Sequence, residues 1–224
     1  MLVQEEIERL IMTGELPVGS RINESELAQR FNTSRGPIRE ALRALEEVGL
    51  VRTEKNRGMF VREISFEEAD EIYELREALE EIIGRRVAKF ITTDGIERLK
   101  AMLDAMHEAA QAQELEQYAQ LNLQFHDTLL DTAGSAKLTE TYQRLIKELS
   151  LFRLRALAGG GLRVSADEHR VIVDAIASRD PEYAGQTLRR HVADSRARMH
   201  KALGRDTGAQ GEAPKVPSSP TKEV

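Results

Sequence analysis

Asn122 and His126 stand four residues apart, so on a helix they share one face. His169 and His191 follow on two later helical stretches. Imidazoles brought from several helices into a bundle interior can hold a divalent metal ion. Spacing alone is a weak signal, because a single helical histidine is more often an ordinary core or surface residue. A second pattern lies earlier, in NTSRGPIREALRALEEVGLV, where Arg35, Arg39 and Arg43 recur every fourth residue. On a helical wheel they fall near 0°, 40° and 80°, at about 100° per residue. Three like charges on one stripe repel one another and call for an anion from outside the chain. Arginine suits DNA: its fork pairs with guanine O6 and N7, or grips phosphate. The Ser34 hydroxyl and the helix N-terminus suit a phosphate, and Gly36 permits close backbone approach.

The elements that must carry these residues follow from local signals. The arginine helix has Ser34 as an expected N-cap, Pro37 in its first turn and Gly49 as its stop. Ile38, Ala41, Leu42 and Leu45 lie opposite the arginines and form its buried side. Ahead of it, NESELAQRF is a short helix with Asn23 as cap and Glu26 at the capping-box position. QEEIERLIMTG is a helix with Ile7, Leu10 and Ile11 inward. After it, LVRTEKNRGMFVREI forms a hairpin turning at Asn56-Arg57-Gly58. Helix, helix, turn, helix, hairpin is the order of a winged helix-turn-helix. Arg57 at the wing tip could enter the minor groove or hold phosphate.

The charge distribution agrees. The 224-residue chain carries a formal charge of −6, yet residues 30–43 and 52–62 are each net +3, while the rest of 1–63 is net −7. Positive charge is thus concentrated on the third helix and the wing. Aromatic residues make up only 4% and tryptophan is absent, which favours a helical chain over a β-sandwich. The lack of cysteine excludes disulfides, thiolate-bound zinc and thiol catalysis. No apolar run approaches the length of a membrane span and no signal peptide opens the chain, so the expected location is the cytoplasm, with no membrane partner.

Residues 65–203 contain six helical stretches with short breaks. Ser65 with Glu68, and Ser165 with Glu168, occupy capping-box positions, and Pro181 follows Asp180 at a helix start. The fold class expected is mainly α: a winged helix-turn-helix over 1–63, an all-α bundle over 65–203, and a disordered tail over 204–224 rich in Gly, Pro, Ser and Thr.

GELPVGSRINESELAQRFNTSRGPIREALRALEEVGLVRTEKNRGMFV resembles the DNA-binding domain of the GntR family of bacterial regulators. The resemblance runs through G-x-L-x-x-G, ELA, SRGPIREAL, L-x-x-x-GLV and the RG-x-x-V wing. It implies that Ser34, Arg35, Gly36, Pro37 and Arg39 lie at the operator, with Arg57 and Gly58 at the wing. The family's first helix usually starts earlier, so here either the first helix is short or the start given is late. NLQFHDTL, EHRVIVDAIASRDPEYA and the later HV resemble the FadR-type (FCD) branch, whose effector domain commonly holds a metal, often zinc. Carried over, the ligands are Asn122, His126, His169 and His191. Asn122 replaces the commoner aspartate, a weaker ligand that leaves the site one unit more positive and favours an anionic effector. Many members of this branch sense small carboxylates. Arg76 and, second, Arg153 are the arginines expected to bind one, a surface salt bridge being the alternative for each.

These readings lead to a homodimeric, ligand-responsive transcription factor on a palindromic double-stranded operator. Helices within 65–91 and the linker near Glu63 are expected to transmit the effector's influence. Two rival classes are a constitutive DNA-binding protein without effector and a metal-dependent hydrolase fused to a DNA-binding domain. The hydrolase lacks an evident general base beside the histidines.

Overall fold

The computed structural model describes the backbone of residues 3–156 and 162–202 and the side chains of residues 3–152 and 163–201. The Arg153 side chain and the tail 204–224 lie outside the described residues.

Three helices open the fold: α1 (Val3–Met12), α2 (Glu24–Arg30) and α3 (Arg35–Glu47). Apolar spacing sets each buried face. Ile7, Leu10 and Ile11 of α1 meet Leu27 and Ala28 of α2 and Ile38, Ala41, Leu42 and Leu45 of α3 in one core. Asn23 caps α2 as its sequence predicts, its side chain accepting from the Ser25 and Glu26 amides. Ser34 occupies the N-cap position of α3, but its side chain makes no capping hydrogen bond. The amide end of α3 is therefore less satisfied than the sequence suggests. Gly49 ends α3 in the left-handed region (φ +80°), where a side chain would be strained. Strands β1 (Val51–Glu54) and β2 (Gly58–Val61) pair antiparallel, Val51 opposite Val61 and Glu54 opposite Gly58. Asn56 (φ 63°) and Gly58 (φ 99°) make the tight turn between them.

Six helices follow: α4 (Phe66–Phe90), α5 (Thr93–Ala112), α6 (Leu115–Ala133), α7 (Ala136–Ala156), α8 (Leu162–Ala177) and α9 (Pro181–Ala202). Ser65 caps α4 by accepting from the Glu68 amide, and Asp180 caps α9 by accepting from the Glu182 and Tyr183 amides. The second capping box does not form. Helix α8 begins at Leu162, so Ser165 is internal, and its carbonyl accepts from a side chain one turn on. Glu168 turns to α9 instead of back to an amide.

Helices α4 and α9 cross at close range. A Cβ on Gly84 would lie 2.6 Å from the Ala184 carbonyl oxygen, and one on Gly185 would lie 2.9 Å from that of Glu81. Glycine at both positions is what permits this approach. Two hydrophobic clusters result. One fills the bundle around Phe125, Leu99, Met106 and Ile83. The other joins the three-helix core to Ile72 and Tyr73 of α4, Leu149, Leu151 and Phe152 of α7, and Val192 of α9. The winged unit is thus packed directly on the bundle.

Candidate functional site

The three bundle histidines converge. His126 comes from α6, His169 from α8 and His191 from α9, all buried, with one ring nitrogen of each within 4.8 Å of the others. Their rings contact one another edge-on or stacked, with centroids 4.6–5.8 Å apart. Phe125 packs edge-on against His126 and His169 and walls the site from below.

The outer partners orient these rings. The Ser165 carbonyl lies 2.6 Å from His169 Nδ1. A carbonyl only accepts, so this nitrogen carries the proton and Nε2 keeps its lone pair. The Glu168 carboxylate, 2.8 Å from His191 Nδ1, imposes the same tautomer. Glu80 Oε1 lies 3.4 Å from His126 Nδ1 and acts in the same sense. Three imidazoles, each with an acceptor behind Nδ1, form the arrangement that metal-binding histidines use. His169 Nε2 is buried without a hydrogen-bond partner. Burial, and next the neighbouring His191, hold the His169 ring far below the usual imidazole range, to about 3, so it stays neutral and able to donate a lone pair. Burial pushes the Glu168 carboxyl up, but hydrogen bonds from His191 and Arg198 more than offset this and hold it at about 2.

A divalent ion fits this donor set. Imidazole nitrogen is a ligand that zinc favours, and His126, His169 and His191 are the residues that would hold it. Asn122 sits one turn before His126 on α6 and is half-buried.

Arg76 lies inside the bundle, 4% exposed, which removes the surface alternative for it. Leu75, beside it in sequence, faces outward at 56% exposure. The charge has partners that sequence reasoning missed. Arg76 Nη2 is 3.5 Å from Glu80 Oε1 and donates to the Tyr142 hydroxyl at 3.4 Å, and the guanidinium faces the Tyr73 and Tyr142 rings. Burial works against the Arg76 cation, but Tyr142 and Glu80 more than compensate and hold its pKa above the ordinary value. Tyr142 donates to Glu80 Oε1 at 2.5 Å. Glu80 is thus common to Arg76, Tyr142 and His126. Arg76 Nε and Nη1 and Glu80 Oε2 are buried without partners. Buried polar atoms are nearly always satisfied, so these atoms, like His169 Nε2, stand out in the bundle interior. Glu80 was detectable only as a carboxylate one helical turn after Arg76.

The arginine stripe is where its periodicity puts it. Arg35, Arg39 and Arg43 are exposed, and Ile38, Ala41, Leu42 and Leu45 are buried on the opposite side of α3. Arg39 Nε is held by Glu24 Oε2 of α2 at 2.7 Å. Arg35 and Arg43 make no ion pair among the described residues. Ser34, Gly36 and Pro37 are exposed at the start of α3. Arg57 is 69% exposed in its side chain; it pairs with Glu54 and lies over the Phe60 ring, and Arg52 does both as well. Gly58 completes the wing turn.

Comparison with known proteins agrees with both halves of this picture. The family profile described as bacterial regulatory proteins, gntR family, matches residues 2–61, and the FCD domain profile matches residues 71–194. The chain is 33% identical over 183 residues to the probable D-xylose utilization operon transcriptional repressor of Paenarthrobacter nicotinovorans, covering 82% of this chain and 80% of that protein. It is 27% identical to the HTH-type transcriptional repressor RspR of Escherichia coli K12, covering 78% and 77%. Among solved structures, a GntR regulator from Rhodococcus sp. RHA1 superposes with a TM-score of 0.71 at 26% identity, covering 90% of this chain and 96% of that one. McbR/YncC of E. coli gives 0.76 at 20% identity with the same coverage, a likeness of fold.

Proposed function

Because this chain belongs to the bacterial GntR family of transcriptional regulators and carries an FCD domain, we propose that it is a homodimeric, cytoplasmic repressor whose hold on a palindromic operator is set by a small carboxylate bound in the helical domain. The family consists of DNA-binding regulators, not enzymes, so the buried histidines serve sensing rather than turnover. The repressor sense rests on the relatives named as repressors.

At the operator, Arg35, Arg39 and Arg43 face the major groove from α3, with Ser34, Gly36 and Pro37 at its start against the phosphate backbone. Arg39 exchanges Glu24 for DNA. Arg57 and Gly58 form the wing contact. The dimer is supported by a stripe on α4: Leu75, Ile82 and Phe90 are 56%, 47% and 58% exposed and fall on one helix face. An apolar stripe of this kind wants a partner surface.

His126, His169 and His191, with Asn122 beside them, would hold a divalent metal, zinc being the best match to an imidazole-rich set. When bound, the ion supplies a Lewis-acidic anchor for an effector oxygen. Arg76 supplies the second anchor: Nε and Nη1 are free to donate, one on either side of the Nη2 engaged by Tyr142 and Glu80. The effector alters DNA affinity to the extent that it binds the two arrangements of the protein unequally.

The observation that carries this reading is the set of buried orphan atoms on Arg76, Glu80 and His169 around one imidazole cluster. The test is elemental analysis of protein purified without chelator, then thermal-shift screening of small carboxylates against wild type and Arg76→Ala. About one divalent ion per chain is expected, with carboxylate stabilisation lost in the variant. Metal-free protein that responds to no carboxylate would favour the constitutive DNA-binder.

A further inference from the structure

Helix α7 touches both the histidine site and the winged unit. Near its middle, Tyr142 donates to Glu80 Oε1 and accepts from Arg76 Nη2. Six residues on, about 9 Å along the axis, Glu148 is buried against the winged unit. Arg62, just past β2, donates to Glu148 Oε2 at 3.1 Å and also to the Gly49 carbonyl at 3.3 Å. Glu148 Oε1 sits 2.7 Å from where a Cβ of Gly49 would be, so the carboxylate occupies the space that this glycine leaves open. Leu149, Leu151 and Phe152 enter the core of Ile7, Leu10, Leu45 and Leu50, and Lys147 reaches Glu8 of α1 at 2.8 Å.

We infer that α7 is the strut through which the state of the histidine site reaches the winged unit, with Tyr142 as its input contact and Glu148 as its output contact. The inference rests on the metal-and-effector reading above. Glu80 Oε1 has three groups around it: Tyr142, Arg76 and His126 Nδ1. With a metal held by the other His126 nitrogen, Nδ1–H would be a stronger donor to Glu80, and the carboxylate would give less to Tyr142. Tyr142 is 3% exposed and close-packed, so a change in that bond passes to the helix rather than to solvent. At the far end, Glu148 and Arg62 connect the helix to the turn that closes α3 and to the base of the wing. A second route exists on the same arginine: Arg62 also pairs with Glu68 in the first turn of α4. The two routes can be cut separately, which makes the strut a testable claim.

The experiment is amide hydrogen exchange on the full chain, metal-free and with Zn²⁺ alone, for wild type, Tyr142→Phe, Glu148→Gln and Glu68→Gln. Metal uptake is followed in parallel with a chromophoric competitor. In wild type, Zn²⁺ slows exchange in α6, α8 and α9, and also, by more than threefold, in residues 46–62. Tyr142→Phe and Glu148→Gln retain the slowing around the histidines and lose it in 46–62, while Glu68→Gln keeps both. Should Glu148→Gln unfold the winged unit, Tyr142→Phe, remote from that unit, decides the matter alone. Slowing confined to α6, α8 and α9 in wild type overturns the strut. So does slowing of 46–62 that survives Tyr142→Phe, or that Glu68→Gln alone abolishes. No Zn²⁺ uptake by wild type refutes the metal reading and the strut with it, and is distinguished by the competitor.

Discussion

Replacing Gly84 with alanine sets two effects of opposite sign against each other. Alanine is the better helix former by about 1 kcal/mol in a helix interior, so propensity alone predicts a more stable protein. Packing predicts the reverse. The added methyl would lie 2.6 Å from the Ala184 carbonyl oxygen and 2.9 Å from Gly185 Cα. Both are backbone atoms of α9, so no rotamer change relieves the clash and the two helices must separate. Overpacking of this kind costs roughly 1–3 kcal/mol and occasionally more, and contact with backbone places Gly84 toward the upper end. The net expectation is destabilisation of about 1–2 kcal/mol. For a chain of this length that lowers Tm by roughly 2–8 °C. Gly36→Ala is the control, because nothing lies closer to its Cβ position than Ser34 Oγ at 3.8 Å; it should leave Tm unchanged or raise it slightly. The assay is thermal unfolding followed by far-ultraviolet circular dichroism, with Zn²⁺ affinity measured in parallel. Helix α4 carries Arg76 and Glu80 and α9 carries His191, so Gly84→Ala should also weaken metal binding. A Tm rise matching that of Gly36→Ala would show that the α4–α9 crossing is not as tight as described and would refute the argument.

Three further outcomes are expected. His126→Ala should lose the bound divalent ion seen in wild type by elemental analysis; retention of a full equivalent would place the metal elsewhere. Arg35→Ala should weaken binding to a duplex selected by wild type from a random pool by about 1–3 kcal/mol, the range of one bidentate base contact, with a phosphate contact showing instead as a shallower salt dependence. Unchanged anisotropy titrations would remove Arg35 from the interface. Asp70 is held below its ordinary value near 3.8 chiefly by its hydrogen bond to Arg196, with His200 adding to it. A carboxyl whose folded pKa is depressed contributes stability above its ordinary pKa and loses it as pH falls through the folded one. The Tm gap between wild type and Asp70→Asn should therefore be full at neutral pH and narrow below about pH 4; a gap independent of pH would show that Asp70 acts by packing alone.

The local elements were legible in the chain because their signals are local. Four-residue apolar spacing set the buried sides of α1 and α3, Asn23, Ser65 and Asp180 named three helix starts, and Asn56 with Gly58 named the wing turn. The arginine stripe also followed from periodicity, since a side chain's side of a helix is fixed by its position along it. Local signals misled at Ser165 and Glu168, which look like a capping box: α8 already runs from Leu162, so Ser165 is internal, and Glu168 is taken by His191 and Arg198 from α9. Spacing could nominate His126, His169 and His191 but could not bring them together, because they are separated by 43 and 22 residues and meet only when α6, α8 and α9 pack. Glu80 was visible only as a carboxylate one turn after Arg76, and Tyr142 carried no motif. Their importance lies in a buried oxygen of α4 shared with α6 and α7, and that sharing exists only once the three helices have packed.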